Sequence, residues 1–121
     1  MKLRTSSIKL IIVEVFLYLL LLPLISYAEV INKKCISQKT GKSTYDINLD
    51  TLSLRGVLGY EFMGQKITYE VSKGQYKDGT FTGVATFLGS QTGETHDEPF
   101  IISYKTKSNI FSETNGTYKC N

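Results

Sequence analysis

The chain has no tryptophan, a single histidine, two cysteines and two prolines among its 121 residues. With His96 as the only imidazole, a site built on paired histidines is excluded, and any nucleophile would have one possible imidazole base. No serine sits in a Gly-x-Ser-x-Gly elbow. The missing tryptophan removes the usual platform for stacking sugars, which leaves only tyrosine for that task. No basic run offers the several phosphate contacts that nucleic acid requires. Beyond Ala28 there is no long apolar span to cross a membrane. Nor is there a segment there with apolar residues recurring at three and four, so helices are not expected. These absences argue against an enzyme and imply no cofactor and no metal.

What is present begins with an export signal. Lys2, Arg4 and Lys9 form a basic start, residues 10–25 are apolar apart from Glu14, and Ser26-Tyr27-Ala28 carries small residues where a signal peptidase reads. The apolar stretch is shorter than the roughly 20 residues of a spanning helix. Cleavage is predicted between Ala28 and Glu29. Residues 1–28 are thus read as a signal peptide and 29–121 as a single domain, periplasmic or secreted, with no membrane contact after cleavage. Asn32, Lys33 and Lys34 precede Cys35, which does not suit a lipid-attachment cysteine. Without the signal, the balance of 14 Lys+Arg against 11 Asp+Glu falls to 11 against 10, so the basic character resides mainly in the leader. Cys35 and Cys120 both lie in the remaining part, and an even count in an oxidising compartment reads as one disulfide.

Alternation by two dominates after residue 28, with Tyr, Phe, Thr, Ile and Val enriched and glycine as punctuation. This is an all-β pattern. A two-residue turn at Gly64-Gln65 would place Phe62 opposite Ile67, Tyr60 opposite Tyr69 and Leu58 opposite Val71, all on one face. Asn115-Gly116 is the strongest short hairpin signal. It would place Phe111 opposite Cys120 and Glu113 opposite Tyr118. Further strands are expected around residues 34–38, 43–49, 52–62, 80–88 and 100–106. The result is a small antiparallel meander of about eight strands. Its first and last strands each carry a cysteine, and a bridge requires their Cα atoms within about 7 Å. The two edges therefore meet in a closed or nearly closed barrel, although a bridge across a two-layer sandwich satisfies the same requirement.

Two charged groupings stand out. His96 is flanked by Glu94, Asp97 and Glu98, but neighbours on one short loop rarely converge on a metal, and the loop reads as a solvated acidic connection or a contact surface. Glu61 and Glu70 fall diagonally close on the polar face of the first hairpin, as on a solvated sheet face. Asn115-Gly116-Thr117 matches a glycosylation sequon at a hairpin tip.

Ser72-Lys73-Gly74-Gln75-Tyr76, after the strand ending Glu70-Val71, resembles the Ser-Gly-x-x-Tyr loop of bacterial C-type lysozyme inhibitors. Here Lys73 separates Ser72 from Gly74, and the family's later tryptophan-containing strand end has no counterpart. The resemblance implies a small exported antiparallel barrel with a disulfide. It also implies an inhibitory loop entering the lysozyme cleft, with Ser72, Gly74 and Tyr76 as its residues by position; Lys73 and Lys77 of the same loop add positive charge suited to a cleft lined by carboxylates. The expected function is a non-enzymatic binding protein acting on a protein target outside the cytoplasm. The alternatives are an immunity protein against a toxin delivered to the periplasm and a small ligand-binding barrel.

Overall fold

The computed structural model describes residues 29–93 and 98–121. The signal-peptide reading of residues 1–28 lies outside the described residues, as do His96, Glu94 and Asp97. Eight antiparallel strands follow in chain order: β1 (Val30–Ser37), β2 (Thr44–Asp50), β3 (Arg55–Phe62), β4 (Gln65–Lys77), β5 (Thr80–Ser90), β6 (Phe100–Lys105), β7 (Ile110–Glu113) and β8 (Gly116–Cys120). Each pairs with the next, and β8 returns to β1, so the meander closes as a barrel and not as a sandwich. Closure satisfies both edge strands, which would otherwise present unpaired backbone to other chains.

The closing seam is short. Only Cys35↔Cys120, Ile36↔Lys119 and Ser37↔Tyr118 pair across it, against seven residue pairs between β1 and β2. The disulfide between Cys35 and Cys120 lies on this seam, directly between opposed residues. It therefore fastens the barrel at one of its two three-pair ladders, the other being β6–β7.

Alternation sorts each strand into a core face and a solvent face. On β2, Tyr45, Ile47 and Leu49 are buried while Asp46 and Asn48 are exposed. Leu58, Tyr69, Val71, Phe81, Ile102, Tyr104, Phe111 and Tyr118 complete most of the interior.

Both predicted hairpin turns sit one residue earlier than expected. The first is Met63-Gly64, with Phe62 opposite Gln65, Tyr60 opposite Ile67 and Leu58 opposite Tyr69. Met63 and Gly64 both have positive φ, 52° and 79°, as a type I′ turn demands. The second turn is Thr114-Asn115, which sets Phe111 opposite Tyr118 and Glu113 opposite Gly116. Each ladder is thereby displaced by two residues. A displacement of two preserves the faces, so the expected inward residues still point inward, except that Phe62 emerges at the rim, 37% exposed.

β3 starts at Arg55, later than the expected residue 52, because Asp50 organises a turn. Its carboxylate accepts the backbone N–H groups of Leu52 and Ser53 at 2.8 and 3.3 Å, and its carbonyl accepts that of Leu54 at 2.9 Å. Leu54 turns inward from this loop and packs against the core, covering one end of the barrel.

Candidate functional site

The segment expected to be an inhibitory loop is strand. Ser72, Lys73, Gly74, Tyr76 and Lys77 all belong to β4, which runs on to the turn at Asp78-Gly79. The ladder with β5 is irregular between Ser72 and Gln75, a bulge at which Lys73 takes φ 51°. Gly74 is there because the Leu54 loop presses on it: a Cβ would lie 2.3 Å from the Leu54 carbonyl oxygen and 2.9 Å from Cζ of Phe81. Ser72 is half-buried, Lys73 and Lys77 are exposed, and the Tyr76 hydroxyl donates to the Glu29 carboxylate at 3.2 Å. The structure thus brings these residues together along one strand at the covered end, without a projecting loop.

The second feature lies at the opposite end of the barrel. There the wall encloses a cavity of about 820 Å³, lined by Tyr45, Tyr60, Tyr69 and Tyr118 together with Ile67, Phe100 and Glu113. The register explains the ring of aromatics. Cys120, Cys35, Tyr45, Tyr60 and Ile67 are consecutive partners in one row running round the barrel. Tyr118 precedes Cys120 by two residues on the same face, and Tyr69 follows Ile67 by two. Tyr45 is the hub, with ring centroids 4.8 Å from Tyr60, 4.8 Å from Phe111 and 4.9 Å from Tyr118. Tyr69 packs edge-on against Phe100 at 4.9 Å. Tilted and edge contacts of this kind satisfy the ring quadrupoles and hold the rings in place.

One carboxylate points into this cup. Glu113, the last residue of β7, accepts the Tyr45 hydroxyl at 3.1 Å through Oε2 and the Asn115 backbone N–H at 2.8 Å through Oε1. Both oxygens are thus oriented. Burial, then the Glu113 charge, pushes the Tyr45 phenol far above its usual range. Burial also raises the Tyr69 and Tyr118 phenols, with the Ser43 hydrogen bond opposing the rise at Tyr118. Glu98, from the acidic connection, lines the mouth and is exposed. None of the described lining residues is a lysine or arginine.

Glu61 and Glu70 do not come together. The displaced register sets Glu61 opposite Lys66 and Glu70 opposite Val57, and Arg55 forms an ion pair with Glu70 at 3.2 Å. Among the described residues no three His, Cys, Asp or Glu side chains converge as metal ligands. No helix among them is long and apolar enough to cross a membrane.

The cup tyrosines read as core in the sequence because they alternate inward. A further signal was available. Along β2 the inward residues pass from Tyr45 to Ile47 to Leu49, and along β3 from Tyr60 back to Leu58. Tyrosine therefore gathers at the same end of adjacent strands. What this arrangement offers chemically is recognition, by aromatic surface and one fixed charge. Comparison of the chain with known protein families, with curated proteins and with solved structures finds no match.

Proposed function

We propose that this is a non-enzymatic binding protein working outside the cytoplasm, periplasmic or secreted, and that it binds its ligand in the tyrosine cup. The observation that carries this reading is the cavity itself. At about 820 Å³ it falls in the ordinary size range of ligand sites, and its lining combines aromatic rings with polar groups, among them the fixed Glu113 carboxylate. The disulfide supports the compartment, since such bonds persist where the surroundings are oxidising. The test is a small-molecule screen observed by NMR on the ring signals of residues 29–121. Ligands of this site shift Tyr45, Tyr60, Tyr69 and Tyr118 and leave Tyr76 and Tyr104, at the far end, unmoved. Hits confined to the far end, or no hits, would refute the cup as the binding site.

A second reading keeps the protein target. Lys73, Gln75 and Lys77 lie exposed on one side of the bulged strand and present positive charge of the kind that suits an acidic cleft. Lysozyme inhibition, or neutralisation of a delivered toxin, would use this face. Inhibition of a C-type lysozyme that falls when Lys73 and Lys77 are changed to alanine supports it, and a lack of inhibition at micromolar concentration removes lysozyme as the target.

A further inference from the structure

Resting on the cup as the binding site, we infer that its ligand is an organic cation with an alkylammonium head, held among the four tyrosine rings and against Glu113.

Three observations converge on this chemistry. The first is the lining: Tyr60 and Phe100, half-buried, and the buried Tyr45, Tyr69 and Tyr118 all border one cavity, and aromatic rings attract cations through their quadrupole. The second is charge. Glu113 stands in the wall and Glu98 at the mouth, with no lysine or arginine among the described lining residues to offset them, which disfavours an anionic ligand. The third is the state of the Glu113 carboxylate. It already accepts the Tyr45 hydroxyl. Glu113 is in turn fixed by Asn115, so its carboxylate is oriented before any ligand arrives. An alkylammonium head needs no rearrangement of that carboxylate. Its positive charge meets the rings, and the carboxylate supplies the counter-charge.

The head group has two natural sources, a free small molecule or a lysine side chain of another protein, and the same chemistry recognises both. Choline is the probe for the first and a short capped peptide with one central lysine for the second. The control is the neutral isostere of choline, in which a quaternary carbon replaces the nitrogen. Each is titrated into the 29–121 domain while the tyrosine ring signals are followed.

Choline or the peptide should shift the four cup tyrosines, and the isostere should bind at least several-fold more weakly. Tighter binding of the peptide assigns the source to a protein side chain, and tighter binding of choline assigns it to a free cation. Glu113→Gln keeps an acceptor for Tyr45 but removes the charge, and should weaken cation binding by about tenfold while leaving the isostere unchanged. Glu98→Gln, at an exposed position with no part in the core, should weaken it less. Tyr60→Phe should retain binding and Tyr60→Leu should lose it, because the ring and not the hydroxyl is used. Equal binding of choline and the isostere overturns the cationic assignment while leaving the cup a binding site. Failure of both cations to move the ring signals also overturns it, and the general screen then decides on the cup separately.

Discussion

Tyr45 and Gly74 show how single residues serve the two ends of the barrel. Tyr45 belongs to a set of phenols that burial, before any other influence, holds above their ordinary value: Tyr45, Tyr69, Tyr76, Tyr104 and Tyr118. In the unfolded chain each releases its proton near pH 10. The folded state keeps it, so the stability these groups contribute is complete below about pH 10 and is lost as pH rises beyond it. The domain should therefore unfold in strong alkali, with tyrosinate absorbance growing in step with the loss of near-ultraviolet circular dichroism. Titration of all the tyrosines near the ordinary value, with the fold intact, would contradict this. Gly74 makes its contribution through what it lacks. With the Leu54 carbonyl and the Phe81 ring pressed against it, Gly74→Ala forces backbone apart and should cost about 1–3 kcal/mol or more in denaturant unfolding. Gly89, with nothing near its missing side chain, is the matched control, and Gly89→Ala should cost well under that.

At the scale of elements, the hairpins show what alternation can and cannot specify. The face assignment depends only on parity, so Leu58, Tyr60, Ile67, Tyr69 and Val71 were legible as inward residues whichever turn joined β3 to β4. The register depends on the turn, and the turn places Met63 in the left-handed region, a conformation no methionine advertises. Asparagine adopts it more readily. Met63→Asn should accordingly stabilise the domain by about 0.5–1 kcal/mol, read as a rise in denaturation midpoint at unchanged slope. A loss of stability would mean that the Met63 side chain has a packing role its 82% exposure does not suggest. The bulge in β4 was illegible for a related reason. Ser72-Lys73-Gly74-Gln75-Tyr76 has the composition of a loop, but its pairing with β5 makes it a strand, and the Leu54 loop, some 20 residues earlier, packs against Gly74 in the bulge. The cup escaped notice because an inward tyrosine looks the same in sequence whether it meets another side chain or an open space. What stands across a barrel is settled by how all the strands end, and local pattern does not contain it.

For the molecule as a whole, the meeting of first and last strands was readable from where the cysteines fall, while the choice of barrel over sandwich lies in the β1–β8 pairing. A chain this small has a limited core, so one covalent tie counts for much of its stability. The bridge joins residues separated by 85 positions. In the chain-entropy account, losing it through a double Cys35→Ala and Cys120→Ala change costs about 4–5 kcal/mol. Because Cys35 is the register neighbour of Tyr45, the same variant should broaden the ring signals of Tyr45 and Tyr118 before it alters those of Tyr76. Unchanged stability would mean that the three-pair seam is sufficient on its own. The position of the bridge also determines how the protein carries force. Drawn apart by its two ends, residues 29–121 would pass the load from Cys35 straight into Cys120 through the sulfur atoms, leaving the barrel wall slack. Only the few residues before Cys35, and Asn121 after Cys120, could pay out. Once the bridge is reduced, the same pull falls on the short seam, and chain on the order of 300 Å long becomes free to extend.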